Sequence, residues 1–539
     1  MKKKLTRGFA LLLIGALLCG GLPVCASASR FTDVPAGAWY ANAVEDMAQK
    51  GIISGKTANT FDPNGTLSRA EFATMISKCA LTSAELKEYD FKSRFSDVSN
   101  SHWGKKSINW ASEAGVISGT GGGLFNPSGK VTRQDIAVMV YQFVQATGQQ
   151  LPATQGPMLF VDKDQISGYA RASVTACQRG GVISSRGDMR FAPKGTATRA
   201  EAAVILSKLL QNIRSSGYKI IRKRLYGTSF RAVEFDPDKF TAGVAMPKGR
   251  VRGGESVGSM VSRTGAKIAV NAAFFDMSSY EALGTIIDDG RIITTFERYS
   301  PAKSAIVMDS SGRFSVQNFA TRISGTVTAA NGGQRTVPGL LVNRRPGDND
   351  GSRIVFTRDW GESLGFTAGF AAVVDSRGMV TGVYRGQNVS IPASGYVLAL
   401  RTPRGDAFEA AFSTGAHMEL SVEYEGADSQ DILLSLGVGP KIVENGAPYG
   451  NSSTYAQEGF ATLDTGLGVR RVCIGVRYDG NLVILTAVGS LYEMSQIMAA
   501  QGCQSAVNLD GGGSTNLYVN GQWLYGPQDR LLNNMLYFK

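Results

Sequence analysis

The densest chemistry in the chain is Val507-Asn508-Leu509-Asp510-Gly511-Gly512-Gly513-Ser514-Thr515. An apolar strand delivers an aspartate to its end. Three glycines then admit backbone conformations closed to other residues. Successive free N–H groups in such a bend make an anion nest. A tight structural turn is the competing reading, although an acid at a buried strand end, next to Ser514 and Thr515, is costly unless it is paired. Far upstream, Asn271 ends an apolar run and precedes Ala272-Ala273-Phe274-Phe275. An amide there suits sugar hydroxyls and the Phe275 ring suits a pyranose face. A capped turn over a core Phe pair suits the same residues. Gly437-Val438-Gly439-Pro440 and the arginine of Arg471-Val472-Cys473-Ile474-Gly475, which enters a strand, complete the set.

A second constellation recurs three times, beginning at Phe31, Phe95 and Phe160. Each copy opens on Phe-x-Asp, passes an aromatic and an amphipathic helical stretch, and closes on Phe-x-Pro and [Ser/Thr]-Arg-x-[Glu/Asp]. The closing motifs are Ser68-Arg69-Ala70-Glu71, Thr132-Arg133-Gln134-Asp135 and Thr198-Arg199-Ala200-Glu201. They are capping boxes that start helices. The cap explains the hydroxyl and the acid. It does not explain the arginine, which opposes the helix dipole in a first turn. A salt bridge locking neighbouring repeats is one explanation. Capture of an acidic sugar substituent by a guanidinium fork is the other.

The elements that must carry these residues differ between the two parts. Up to about residue 211 the apolar spacing is helical and the period is that of stacked supersecondary units. From Tyr218 on, short β-branched runs alternate with Asp289-Gly290, Ser311-Gly312, Asp479-Gly480 and Asn520-Gly521, a pattern of strands and hairpins. One helix, over 490–501, interrupts it and ends at Gly502. The expected fold class is multidomain: an all-α-rich triple repeat, a pseudo-threefold helical bundle, followed by an α+β domain with large mixed β-sheets.

A chain of 539 residues exceeds one core. Lys2, Lys3, Lys4 and Arg7, the apolar run 10–18 and Ala26-Ser27-Ala28 read as a secretory leader, residues 1–28. Cys19 and Cys25 each follow a bulky residue, which argues against a lipoprotein. No transmembrane segment is expected in the mature chain. Loss of the leader lowers the formal charge from +12 to about +8. No basic-aromatic motif points to nucleic acid, and an anionic wall polymer is the simpler partner. Cys79, Cys177, Cys473 and Cys503 are too sparse for a disulfide scaffold, and a Cys473–Cys503 pairing stays open. Only His102 and His417 are present, which disfavours a multi-histidine zinc centre and a Ser-His-Asp triad.

The triple repeat resembles the S-layer homology domain, in copies at 30–82, 94–150 and 159–211. The resemblance implies attachment to an acidic, pyruvylated secondary cell-wall polysaccharide through Asp33, Trp39 and Arg69; Asp97, Trp103 and Arg133; and Asp162, Tyr169 and Arg199. Residues 218–539 resemble the phosphodiester glycosidase family, the group that includes the enzyme uncovering mannose 6-phosphate. The resemblance rests on Asn271–Phe275, Gly437–Pro440, the arginine strand and Asn508–Ser514. Val472, Cys473, Ala272 and Ala273 depart from the family pattern. The resemblance implies hydrolysis of the sugar C1–O bond of a sugar-1-phosphodiester on wall or exopolysaccharide glycans, N-acetylglucosamine being the expected sugar. Asp510, Arg471 and Asn271 are the implied catalytic residues. Phe275, Gly511, Gly512, Gly513 and Ser514 are the implied substrate contacts. No cofactor is expected, although a divalent cation would ease the proximity of carboxylate and phosphate. The alternative is a non-catalytic surface glycan-binding protein.

Overall fold

The computed structural model describes residues 30–158, 160–295, 302–347, 351–460 and 468–539. The expected leader, with Cys19 and Cys25, lies outside these residues. Among the described residues no helix is long and apolar enough to cross a membrane.

Each repeat contributes two main helices. Ala41–Gln49, Lys105–Glu113 and Gly168–Arg179 follow the exposed aromatics, and Arg69–Lys78, Arg133–Ala146 and Arg199–Asn212 follow the capping motifs. Ser68, Thr132 and Thr198 accept from the N–H of Glu71, Asp135 and Glu201, as their spacing predicts. The helices pair around a ring. Helix Ala41–Gln49 meets Arg199–Asn212 (Ser207 Oγ to Asp46, 3.3 Å), and Lys105–Glu113 meets Arg69–Lys78 (Ser77 Oγ to Ser107 Oγ, 2.9 Å). Gly168–Arg179 meets Arg133–Ala146.

The ring closes at its centre through β-bridges Thr66–Thr198, Ser68–Lys130 and Thr132–Thr196. The three arginines brace it. Arg69 donates to Phe125 O (2.9 Å), Arg133 to Phe191 O (2.7 Å) and Arg199 to Phe61 O (2.7 Å), so each reaches into another repeat. Each guanidinium also lies 4.6 to 5.2 Å from the ring of that same phenylalanine.

The C-terminal part contains four sheets. In one seven-stranded sheet the order is Ala447–Pro448, Lys441–Glu444, Cys503–Asn508, Arg470–Arg477, Leu482–Val488, Thr228–Phe235, Tyr218–Leu225. Its period-2 pattern splits two cores. Val472, Ile474, Val507 and Leu509 face a second sheet built from Ile268–Asn271, Leu517–Val519 and Met535–Phe538, whereas Cys473, Leu485 and Ala506 face helix Leu491–Ala500.

Two expectations about fold class are overturned. The repeat region is not an all-α bundle. Fewer than half of its residues are helical, because the Pro-, Gly- and Asn-rich motifs between helices occupy as much chain as the helices, and bridges and arginine–carbonyl bonds join the copies. The sheets are antiparallel rather than mixed. Among the described residues only the short pair Leu341–Val342 and Ile354–Phe356 is parallel. Helix accounts for only 23% and strand for 31%.

Arg199 is 4% exposed and donates to two carbonyls, Phe61 O and Ser54 O. Its replacement by alanine strands both acceptors and is expected to cost about 3 kcal/mol. Denaturant unfolding measures this. Arg190→Ala, at an exposed site, should change stability by less than about 0.5 kcal/mol.

Candidate functional site

Strand Cys503–Asn508 prolongs its ladder by one bond, Leu509 N to Val472 O (2.8 Å), and Asp510 N then bonds Ala272 O (3.0 Å). The chain thus leaves one sheet and enters the other across residues 511–513. Each glycine there has its own reason. A Cβ on Gly511 would lie 2.5 Å from Arg470 O, Gly512 has φ +59°, and a Cβ on Gly513 would lie 2.6 Å from Arg530 Nη2. Space beside Gly512 is open. The Gly512 and Gly513 N–H groups have no hydrogen-bond partner among the described residues.

Asp510 is half-buried, and desolvation raises its pKa to about 6. The Ser514 hydroxyl, the Arg530 guanidinium and the Gly511 N–H oppose that rise. Arg530 also donates to Ser514 Oγ (3.4 Å). Arg530 belongs to no motif and was not anticipated. It is brought to the bend by the following loop, which Gln528 N fastens to Asn516 Oδ1 (2.9 Å).

The four sequence motifs converge here. Asn508 exchanges backbone bonds with Gly439 and Pro440, each 3.0 Å. The ladder register, Cys473 opposite Asn508, carried on by two residues, sets Arg471 beside Asp510. Arg471 is 4% exposed and donates to Gly489 O (3.4 Å), and the Arg530 guanidinium lies against Gly513.

Asn271 is placed differently from the expectation. It is 1% exposed, its Nδ2 donates to Asp510 O (2.5 Å), and its Oδ1 accepts from Asn516 N (2.9 Å). Both ends of the amide are engaged by main chain at the bend. Phe275 is likewise buried, stacked on Tyr280 at 5.6 Å. Its neighbour Phe274 is the half-exposed ring, 5.5 Å from Phe460.

Beyond Phe460 lie Lys303, whose Nζ is 5.5 Å from that ring, and buried Glu458, which accepts from Ser304 N (3.1 Å) and Lys441 N (3.4 Å). Asn508 Oδ1 and Thr515 Oγ1 are buried without partners. Among the described residues no group of three or more His, Cys, Asp or Glu side chains is placed to hold a metal. Cys473 and Cys503 are both free thiols, held four ladder positions apart because Cys503 pairs with Arg477.

In the repeat region, the aspartate of each Phe-x-Asp clasps its own repeat. Asp33 accepts from Phe61 N and Asp62 N (2.7 Å each), and Asp97 and Asp162 accept from the equivalent pairs. These backbone bonds, opposing the effect of burial, hold Asp33 and Asp97 below the usual carboxylate range. The expected trios within one repeat do not assemble. Because each arginine crosses to another copy, Asp162 and Trp39 lie by Arg133, Asp33 by Arg199, and Asp97 and Tyr169 by Arg69. Trp39 and Trp103 are 68% and 64% exposed. Trp39 edges a cavity of about 440 Å³ lined by Arg133, Arg186, Glu201 and Lys208. The Tyr169 groove is chemically different. Tyr169 OH bonds Asp135 (2.8 Å) and Gln134 (2.9 Å), and the positions of Arg186 and Lys208 are taken by Thr120 and Gln142.

Residues 30–73, 94–137 and 159–203 match the S-layer homology domain, and residues 368–539 match the phosphodiester glycosidase family. The chain carries three S-layer homology repeats followed by a phosphodiester glycosidase domain. Asp510, the bend, Arg471 and Arg530 fall in the latter match, while Asn271 and Phe274 precede it. Over 173 residues the chain is 33% identical to an amylopullulanase of Thermoanaerobacterium thermosulfurigenes (32% of this chain, 9% of that protein). It is 30% identical to the S-layer protein sap of Bacillus anthracis over 215 residues (40% and 25%). The chain spans no more than about a quarter of the length of these curated relatives. A hypothetical protein from Synechocystis shares the fold, with TM-score 0.51 at 21% identity over 60% of this chain and 62% of that one. The repeats make this a secreted, wall-anchored protein of the cell surface.

The Asp510 environment has a pH signature. An unfolded aspartate titrates near pH 4, and the folded group at about 6. Between those values the unfolded chain has lost a proton that the folded chain keeps, so stability falls as pH rises through that window. The full loss, about 3 kcal/mol, is present above the folded pKa. Asp510→Asn removes it. The variant should gain about that much on wild type between pH 4 and pH 7.5 in denaturant titrations, and an unchanged difference would contradict a desolvated carboxyl.

Proposed function

We propose that the C-terminal part, residues 218–539, hydrolyses the sugar C1–O bond of sugar-1-phosphodiesters, N-acetylglucosamine-1-phosphodiester being the substrate class. The repeats at 30–82, 94–150 and 159–211 hold it on an acidic wall polysaccharide. The observation carrying this reading is Asp510, a carboxyl with pKa about 6 at the rim of a bend with two unpaired N–H groups and a guanidinium. Phosphate is a good leaving group and needs no proton from the enzyme. The task is to hold its growing charge, which the Gly512 and Gly513 N–H groups and Arg530 suit. Water must attack C1 as the C1–O bond breaks. The ionised Asp510 takes the water proton and passes it to solvent, leaving a reducing sugar and a phosphomonoester. Phe274 and Phe460 suit the sugar face. Arg530 flanks the carboxyl and offsets the repulsion between it and the phosphodiester charge.

With N-acetylglucosamine-1-phosphodiester as substrate, phosphorus NMR should register phosphomonoester release. kcat/KM should rise with pH to a plateau with an apparent pKa near 6, since the base must be ionised. Asp510→Asn should lower kcat by 10² or more and Arg530→Ala by about 10². Retained glycan binding with no turnover in the wild-type chain would favour a binding protein instead.

For anchoring, Trp39→Ala with Trp103→Ala should release the chain from purified wall in sedimentation, whereas Tyr169→Phe should leave most of it bound. Equal release by either change would contradict the inequality of the grooves.

A further inference from the structure

A cleft of about 900 Å³ lies where the repeats meet the C-terminal part, away from both the wall grooves and Asp510. One wall is formed by helices Arg133–Ala146 and Gly168–Arg179, the other by Tyr218 and the turn Asn520–Gln522. The two walls are fastened together. Arg222 donates to Ala146 O (2.8 Å) and to Gln522 Oε1 (3.0 Å), Gln522 Nε2 donates to Gln145 O (3.3 Å), and Ile220 N bonds Thr147 O (3.2 Å). Arg222 is largely buried, and desolvation lowers its pKa to about 10. Lys223 pairs with Glu85 beside it.

The lining chemistry is one-sided. Arg171 and Arg179 are exposed on one helix, neither guanidinium has a partner among the described residues, and no carboxylate lines the cleft. Amides of Gln145, Gln149, Gln150 and Asn520 and the ring of Tyr141 supply the rest. Gln149 Oε1 is buried with no hydrogen-bond partner. Unpaired guanidinium groups, amides, tyrosine and an orphaned acceptor are what an acidic sugar chain requires: carboxylate or phosphate for arginine, hydroxyls for the amides and acceptor, ring faces for tyrosine.

We infer that this cleft is a third type of site, binding a carboxylate- or phosphate-bearing oligosaccharide independently of the catalytic reading. Strand Leu517–Val519 joins the cleft's Asn520 to the bend at Gly513.

The test uses the full mature chain carrying Trp39→Ala, Trp103→Ala and Tyr169→Ala, which removes the exposed aromatic of each repeat. The probe is hexagalacturonate, with neutral maltohexaose as control, in calorimetric titration and hydrogen-exchange footprinting. Hexagalacturonate should bind and protect residues 145–153, 171–179 and 518–522, and Arg171→Glu with Arg179→Glu should weaken it at least tenfold. Arg171→Gln with Arg179→Gln, which keeps length and polarity, should weaken it less and leave Tm unchanged, and it carries the test should the charge reversal disturb folding. Unchanged affinity in the neutralised chain, equal binding of maltohexaose, or protection confined to other segments would overturn the inference.

Discussion

An aspartate denied full hydration sits where two sheets hand over the chain, and the C-terminal architecture is arranged around that constraint. Leaving a carboxyl there without partners costs several kcal/mol. The fold supplies Ser514, the Gly511 N–H and Arg530 from one short stretch and one returning loop. The three glycines are the condition for that approach, since Arg470 O and the Arg530 guanidinium occupy the space that side chains at 511 and 513 would need. Asn271 fixes the bend from below with both ends of its amide. The same features that partner the carboxyl leave two N–H groups and a cation turned toward open space. Structure and chemistry therefore draw on one set of contacts.

The repeat region solves a similar problem with cations. Arg69, Arg133 and Arg199 are held by carbonyls and phenylalanine rings of another copy. The two readings of these arginines, a lock between repeats and a wall-polymer contact, are compatible. The Arg133 guanidinium braces the ring through Phe191 O and Ser184 O and also lines the cavity edged by Trp39. Where Tyr169 is bonded to Asp135 and the flanking bases are replaced by Thr120 and Gln142, the bracing function is kept and the charge that would attract an anion is reduced.

Asp510 was legible because strand, acid and triple glycine are contiguous, so local chemistry alone marks the bend. Arg530 was not, because its relation to Gly513 depends on a loop fastened through Asn516, which no local pattern encodes. Asn271 looked like a ligand-facing amide. Its partners, Asp510 and Asn516, are some 240 residues away, and only the pairing of Ile268–Asn271 with Leu517–Val519 brings them together. Which of Phe274 and Phe275 is buried depends on the chain beyond the strand end at Asn271, which local sequence does not specify. The N-caps were read correctly from spacing, although the reciprocal box forms at Ser68 and Thr198 and not at Thr132, while the copy each arginine would reach was invisible because the repeats are alike.

The central claim is that the bend and Arg530 receive a departing phosphate while water adds to the sugar. Hydrolysis in water enriched in oxygen-18 distinguishes the two possible cleavages of the diester. The account predicts the label on the anomeric hydroxyl of the released sugar and none on the phosphomonoester. Label in the phosphate, from attack at phosphorus, would contradict it.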